Sequence, residues 1–151
     1  MKKYIAYPIA IVVSLGVGYL SRLLQADALR EWYPTLVRSP LSPPNVLFPI
    51  VWTVLYLLMG VSLGECFRTG NMRAVVPWVL QLATNVLWSF VFFWLRDPLL
   101  GVATIILLIV LTLWYMSSAG RTSSWAAWLM VPYMLWLFFA TYINWYVHVS
   151  N

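Results

Sequence analysis

Trp78, Gln81, Asn85, Trp88 and Ser89 share a spacing that brings all of them within one narrow arc of a helix turning by about 100° per residue. A second arc carries Tyr133, Trp136, Ala140 and Asn144, and a third Trp52, Tyr56, Met59 and Leu63. Indoles and phenols stack on flat rings, and amides orient carbonyl or carboxylate groups, so these faces suit a large, flat, mostly apolar molecule with a few polar edges. Small Ala140 leaves room between the aromatic groups. An unpaired amide in hydrocarbon costs several kcal/mol, so Gln81 and Asn85 must turn inward. What they meet there is open: an interhelical hydrogen-bond clamp explains them as well as a ligand does.

Other chemistry lacks its residues. No acidic or basic side chain lies near the middle of an apolar run, which leaves a proton relay, voltage sensor or ion-coupled pump without machinery. His148 is the lone histidine and sits far from every such middle, no CxxCH motif is present, and HExxH, GxSxG and phosphate-cradling glycine loops are absent. Cys66 is the only cysteine, which excludes an intrachain disulfide and a CxxC metal or redox site. No metal and no required cofactor are expected.

The elements that hold these faces follow from composition. The 151 residues are 63% hydrophobic and 9% charged, with a mean hydropathy of +0.84. Charge is absent from Tyr4 to Ser21, Val46 to Gly64, Val75 to Leu95, Leu99 to Gly120 and Ser124 to Val147. Each run is about the roughly 20 residues a helix needs to cross a bilayer. Barrel strands would alternate apolar and polar residues, and these runs do not. The expectation is an all-α integral membrane bundle of five transmembrane helices, about 4–24, 46–67, 75–95, 99–118 and 124–147, forming one domain over 1–151. The first run resembles a signal peptide after Lys2 and Lys3 but lacks a small-residue cleavage pattern, and is kept as a span.

The connection over 25–45 is the longest and carries Trp32-Tyr33-Pro34, Pro40, Pro43 and Pro44, which marks it as a stiff aromatic lid. Gly60 and Gly64, and Ser14 with Gly18, permit close helix approach, within the bundle or between copies. Pro132 should kink the fifth helix. Glu65, three residues before Arg68, is expected in a surface ion pair. Trp94, Trp114, Trp125, Trp128 and Trp145 lie near span ends, where aromatic belts form. Basic residues number five on the N-terminal side, against Arg22, Arg30, Arg38 and Arg96 on the other, a bias toward a cytoplasmic N-terminus. The net charge of +5 is scattered through the loops, which fits anionic headgroups and not a nucleic-acid groove.

With these residues in view, the chain resembles the TspO/MBR family, the translocator, peripheral-type benzodiazepine receptor or tryptophan-rich sensory proteins. The matching stretches are Trp32-Tyr33, Leu36, Pro43-Pro44, Val51-Trp52, Leu55-Tyr56 and Met59-Gly60, then Gln81-Leu82, Asn85, Trp88-Ser89 and Phe92-Phe93. They end with Pro132-Tyr133, Trp136, Phe139-Ala140-Thr141 and Asn144. The resemblance implies a five-helix bundle whose first loop covers a cavity for tetrapyrroles such as protoporphyrin IX or haem, binding of isoquinoline carboxamides and benzodiazepines, and often a homodimer. It further implies that Trp52 and Trp136 take part in light-dependent porphyrin breakdown in bacterial relatives, and that bulk at Ala140 alters ligand binding. Two positions depart: Leu41 stands where the family has a tryptophan before its Pro-Pro pair, and no Lys or Arg follows Tyr146 to complete a sterol-recognition pattern.

The expected ligand-binding set is Trp32, Trp52, Tyr56, Gln81, Asn85, Trp88, Tyr133, Trp136, Ala140 and Asn144, with Trp52 and Trp136 as the candidates for any catalysis. The leading reading is a membrane receptor or sensor for porphyrins. A light- and oxygen-dependent porphyrin-degrading enzyme and a porphyrin transporter are the alternatives. The absence of an organelle presequence points to a bacterial plasma membrane, with an outer membrane as the other site.

Overall fold

The computed structural model describes residues 2–151. Its helices are α1 (Ala6–Glu31), α2 (Leu47–Arg68), α3 (Val75–Ser89), α4 (Pro98–Gly120), α5 (Ser124–Trp128) and α6 (Val131–Ser150). No strand occurs among the described residues. Five helical stretches are long and apolar enough to cross a membrane, the third being α3 with its flanking turns and the fifth the α5–α6 pair. The chain is a multi-pass membrane bundle whose outer surface is apolar, as lipid requires: Val12, Val54, Val79 and Leu113 are all exposed. Trp94, Trp114, Trp125, Trp128 and Trp145 are exposed too, as belt residues should be.

Three elements differ from the sequence expectation, each for a local reason. Helix α1 continues to Glu31 instead of ending near 24, which shortens the lid by seven residues (31 − 24). A charge such as Arg22 ends the hydrocarbon, not the helix, and the following Leu-Leu-Gln-Ala-Asp-Ala-Leu-Arg is rich in helix formers. The helix stops only before Pro34, which restricts the residue preceding it; Tyr33–Thr35 forms a 3₁₀ turn. The third span is α-helical only to Ser89 and then widens into a π turn over Phe90–Trp94, ending at Arg96 with a left-handed φ of 55°. The fifth span is interrupted rather than kinked: α5 ends at Trp128 and α6 restarts at Val131. Pro132 thus sits in a first helical turn, where its missing N–H would have had no intrahelical partner.

The small residues work inside the chain. A Cβ on Gly60 would lie 2.5 Å from the Ile11 Cα, one on Gly64 2.9 Å from the Tyr7 Cα, and one on Gly18 2.5 Å from the Tyr56 ring. Ser14 Oγ donates to the Tyr56 carbonyl at 2.7 Å. Both small-residue stripes are therefore consumed by the α1–α2 contact, and a homodimer would need another surface.

Glu65 also differs from expectation. Its pair with Arg68 is bidentate, at 2.8 and 2.6 Å, but the carboxylate is buried rather than on the surface. It accepts further hydrogen bonds from Tyr7 on α1 and from Ser123, which caps α5. One carboxylate ties three helices together at the end of the bundle opposite the lid.

Candidate functional site

Near the lid, α1, α2, α3 and α6 diverge around a cavity of about 360 Å³, within the roughly 300–1,000 Å³ usual for small-molecule sites. Its aromatic wall starts from Trp52 on α2. That indole lies 6.1 Å from Trp88 in stacked orientation and 6.3 Å from Trp136 edge-on, centroid to centroid. Trp88 in turn stacks on Phe92 at 5.8 Å. The π turn places Phe92 and its neighbour Phe93 both in the lining, where wider helical turns commonly mark functional positions. Phe48, Phe139 and Ala140 complete the apolar side.

Behind this wall lies a hydrogen-bonded chain that uses up the amides. Tyr56 Oη donates to Asn85 Oδ1 at 2.7 Å, and Asn85 Nδ2 donates to Tyr133 Oη at 2.9 Å. Trp88 Nε1 donates to Asn144 Oδ1 at 3.1 Å, and Asn144 Nδ2 donates to the Ala140 carbonyl at 2.9 Å. The clamp reading of Asn85 is thus realised in full: the amide joins α2, α3 and α6 and has both its functions engaged. Asn85 and Asn144 face the cavity, but as fixed scaffolding.

Of the expected site residues, Trp52, Tyr56, Asn85, Trp88, Trp136, Ala140 and Asn144 line the cavity. Trp32, Gln81 and Tyr133 do not. Trp32 packs edge-on against Phe92 from outside, with centroids 5.5 Å apart, so it supports the wall without forming it. Tyr133 is fully buried behind Trp52, whose ring it meets edge-on at 6.3 Å. Gln81 is a full helical turn further from the lid than Asn85; its Nε2 reaches only the Met59 sulfur at 3.8 Å, and its Oε1 has no partner. Replacing Gln81 with Met removes this half-satisfied amide from the core, so we expect thermal stability to be kept or raised and cavity ligand affinity to stay unchanged. Thermal melts and a ligand titration of the variant check both.

The α1 wall was not anticipated. Leu15, Gly18, Ser21, Arg22, Gln25 and Leu29 all line the cavity, at the helical spacing that puts them on one side of α1. Gln25 Nε2 donates to Ser89 Oγ at 2.9 Å, fastening α1 to α3. The recurrence of polar residues at Ser21 and Gln25 was the available signal.

The lid closes the end of the cavity with Tyr33 and Asn45. Tyr33 is buried against Phe93, and the Arg38 guanidinium lies over the Tyr33 ring, 4.9 Å from its centroid. Burial pushes the Tyr33 phenol above its ordinary value, against the opposing influence of Arg38, so it remains neutral. The loop is held to α6 by Ser39 Oγ with Tyr142 Oη at 2.8 Å, and by Asn151, whose side chain brackets Val37 through its N–H and carbonyl at 3.0 and 3.1 Å. Leu41 is exposed and contributes no wall.

Comparison with known proteins agrees with this architecture. The model of the TspO/MBR family matches residues 10–149. The chain is similar to the tryptophan-rich protein TspO of Chlorobaculum tepidum, with 34% identity over 148 residues, covering 95% of this chain and 94% of the relative. It is also similar to the protein of the same name from Archaeoglobus fulgidus, with 32% identity and 94% of each chain covered. The human translocator protein shares 35% identity over 150 residues, covering 91% of this chain and 85% of its own length. The match reaches into all five membrane-crossing stretches and includes every residue of the cavity wall, and the chain belongs to the TspO/MBR family.

Proposed function

We propose that the cavity receives a flat tetrapyrrole of the protoporphyrin IX or haem type, and that the protein acts as a membrane receptor or sensor for it, in a bacterial plasma membrane. The observation that carries this reading is the lining itself: three indoles, from α2, α3 and α6, converge with Phe92 and Phe93 on one cavity beside a tethered lid. Stacking surfaces from three separate helices favour a planar aromatic guest over a flexible lipid chain. The names of the bacterial relatives, tryptophan-rich sensory protein among them, support a sensing role.

Titration of the purified protein with protoporphyrin IX, followed by tryptophan quenching, tests it. Saturable 1:1 quenching is expected, with binding weaker by about fivefold to a hundredfold in a Trp52→Ala, Trp136→Ala double variant, since two stacking partners of about 0.5–1.5 kcal/mol each are lost. Quenching that rises without saturation, as in empty micelles, would remove the basis for the reading.

A second reading is favoured by the edge-on contact of Trp52 and Trp136 in the same wall: under light and oxygen, a bound porphyrin is oxidised beside indoles that steer the product. Among the described residues the lining holds no carboxylate, histidine, cysteine or metal cluster, so such chemistry belongs to the ligand and oxygen. Product formation that proceeds equally in protein-free micelles would exclude it.

A further inference from the structure

The polar groups of the cavity are unevenly committed. Asn85 and Asn144 are held by Tyr56, Tyr133, Trp88 and the Ala140 carbonyl, and Gln25 is held by Ser89. Two adjacent residues of the α1 wall stand apart. Ser21 is 2% exposed, and its Oγ lies beside the Tyr56 phenol without making a well-formed hydrogen bond. Arg22 is the one charged residue in the lining.

No carboxylate balances Arg22. Asp27 pairs with Arg30, Glu31 with Arg96, Glu65 with Arg68, and Asp97 caps α4 through the Leu100 N–H. Those are the four acidic residues of the chain, and none of them lines the cavity. The site therefore carries one positive charge and no negative one, and that charge sits on an exposed side chain at the rim of the cavity.

We propose that this edge of the cavity is a carboxylate subsite: the Arg22 guanidinium pairs with an acidic substituent of the ligand, and the Ser21 hydroxyl donates to an acceptor of the same ligand. The inference rests on the tetrapyrrole reading and sharpens it. The guest is a flat aromatic carrying acidic groups at its rim, inserted with that rim toward α1, and its neutral ester is discriminated against. A guanidinium is the side chain suited to this task, because its planar donors match a carboxylate two at a time.

An anionic lipid headgroup would offer Arg22 the same oxyanion chemistry, so the test separates the two sources. Protoporphyrin IX and its dimethyl ester are titrated into wild type, Arg22→Gln, Arg22→Lys and Ser21→Ala in neutral detergent, with and without added phosphatidylglycerol. We expect wild type to prefer the free acid about tenfold, as one charge-assisted contact would give. Arg22→Gln should abolish that preference by weakening the acid while leaving ester affinity unchanged, and Arg22→Lys should keep part of it. Ser21→Ala should weaken the acid severalfold with little change in melting temperature, because its hydroxyl makes no well-formed hydrogen bond within the protein.

Equal affinity for acid and ester in wild type overturns the subsite, as does an Arg22→Gln variant that weakens both ligands alike. Phosphatidylglycerol that stabilises wild type but not Arg22→Gln, while that variant retains the acid preference, assigns Arg22 to lipid and overturns it too. If neither compound binds saturably, it is the tetrapyrrole reading that fails. Ester binding with no acid preference removes only the subsite.

Discussion

Asn85→Ala is expected to destabilise the protein by about 3–5 kcal/mol and to abolish ligand binding together with it. The amide is 1% exposed and is the sole link between the Tyr56 and Tyr133 hydroxyls, accepting from one and donating to the other. Removing it strands two buried phenols, each at about 1–3 kcal/mol, and opens a void behind Trp52. Because the chain of bonds joins α2, α3 and α6, the loss falls on three of the four helices that form the cavity. Tyr133→Phe is the graded control. It leaves Asn85 bonded to Tyr56, and should cost only about 1–2 kcal/mol with ligand affinity largely kept. Thermal melts of both variants, with and without protoporphyrin IX, provide the measurement. An Asn85→Ala variant as stable as wild type would show that the amide is not the clamp its geometry describes.

Gly60→Leu should prevent α1 from seating on α2, with loss of the folded protein from mild detergent. The first added carbon would already lie 2.5 Å from the Ile11 Cα and 2.7 Å from its nitrogen, both backbone atoms that cannot turn aside. Even Gly60→Ala forces the two helices apart, at a cost of about 1–3 kcal/mol for overpacking a close contact. The displacement would travel along the interface to Gly18 on the Tyr56 ring and Ser14 on the Tyr56 carbonyl, and so into the cavity wall. Gly16→Ala is the matched control: a Cβ there meets nothing within 4 Å, and alanine is the better helix former. Its melting temperature should stay level or rise. Size-exclusion profiles and melts of the three variants distinguish close packing from a general intolerance of substitution in these helices.

The sequence made the five membrane-crossing stretches legible because charge is excluded from hydrocarbon, and it made the inward arc of α3 legible because amides are excluded from lipid. Trp78, Gln81, Asn85, Trp88 and Ser89 are all buried. Periodicity identifies an inward face, however, and not the group that meets it. Gln81 and Asn85 lie on the same arc, yet only Asn85 reaches the cavity, because one turn of helix separates the ligand space from the packed core. Helix α1 was undervalued for a different reason. The charge-free run stops at Ser21 and places the end of the helix near residue 24, which puts Gln25 and Leu29 in the loop and hides a wall that runs from Leu15 to Leu29. The pairing of Phe92 with Phe93 depends on the π turn, and no residue type announces a change of helical pitch. Glu65 shows the same limit at the opposite end: its spacing to Arg68 was visible, but Tyr7 and Ser123 come from helices distant in sequence.

The tetrapyrrole reading puts the ligand in the space between α1, α2, α3 and α6. Ala140→Phe tests it most directly, because it fills that space without removing any hydrogen bond: Ala140 lines the cavity, and only its backbone carbonyl is engaged, by Asn144. Protoporphyrin IX titration of this variant should show at least about tenfold weaker binding, with a melting temperature equal to or above that of wild type, as expected when a cavity is filled. Undiminished affinity in a stably folded Ala140→Phe protein would place the ligand elsewhere and contradict the account.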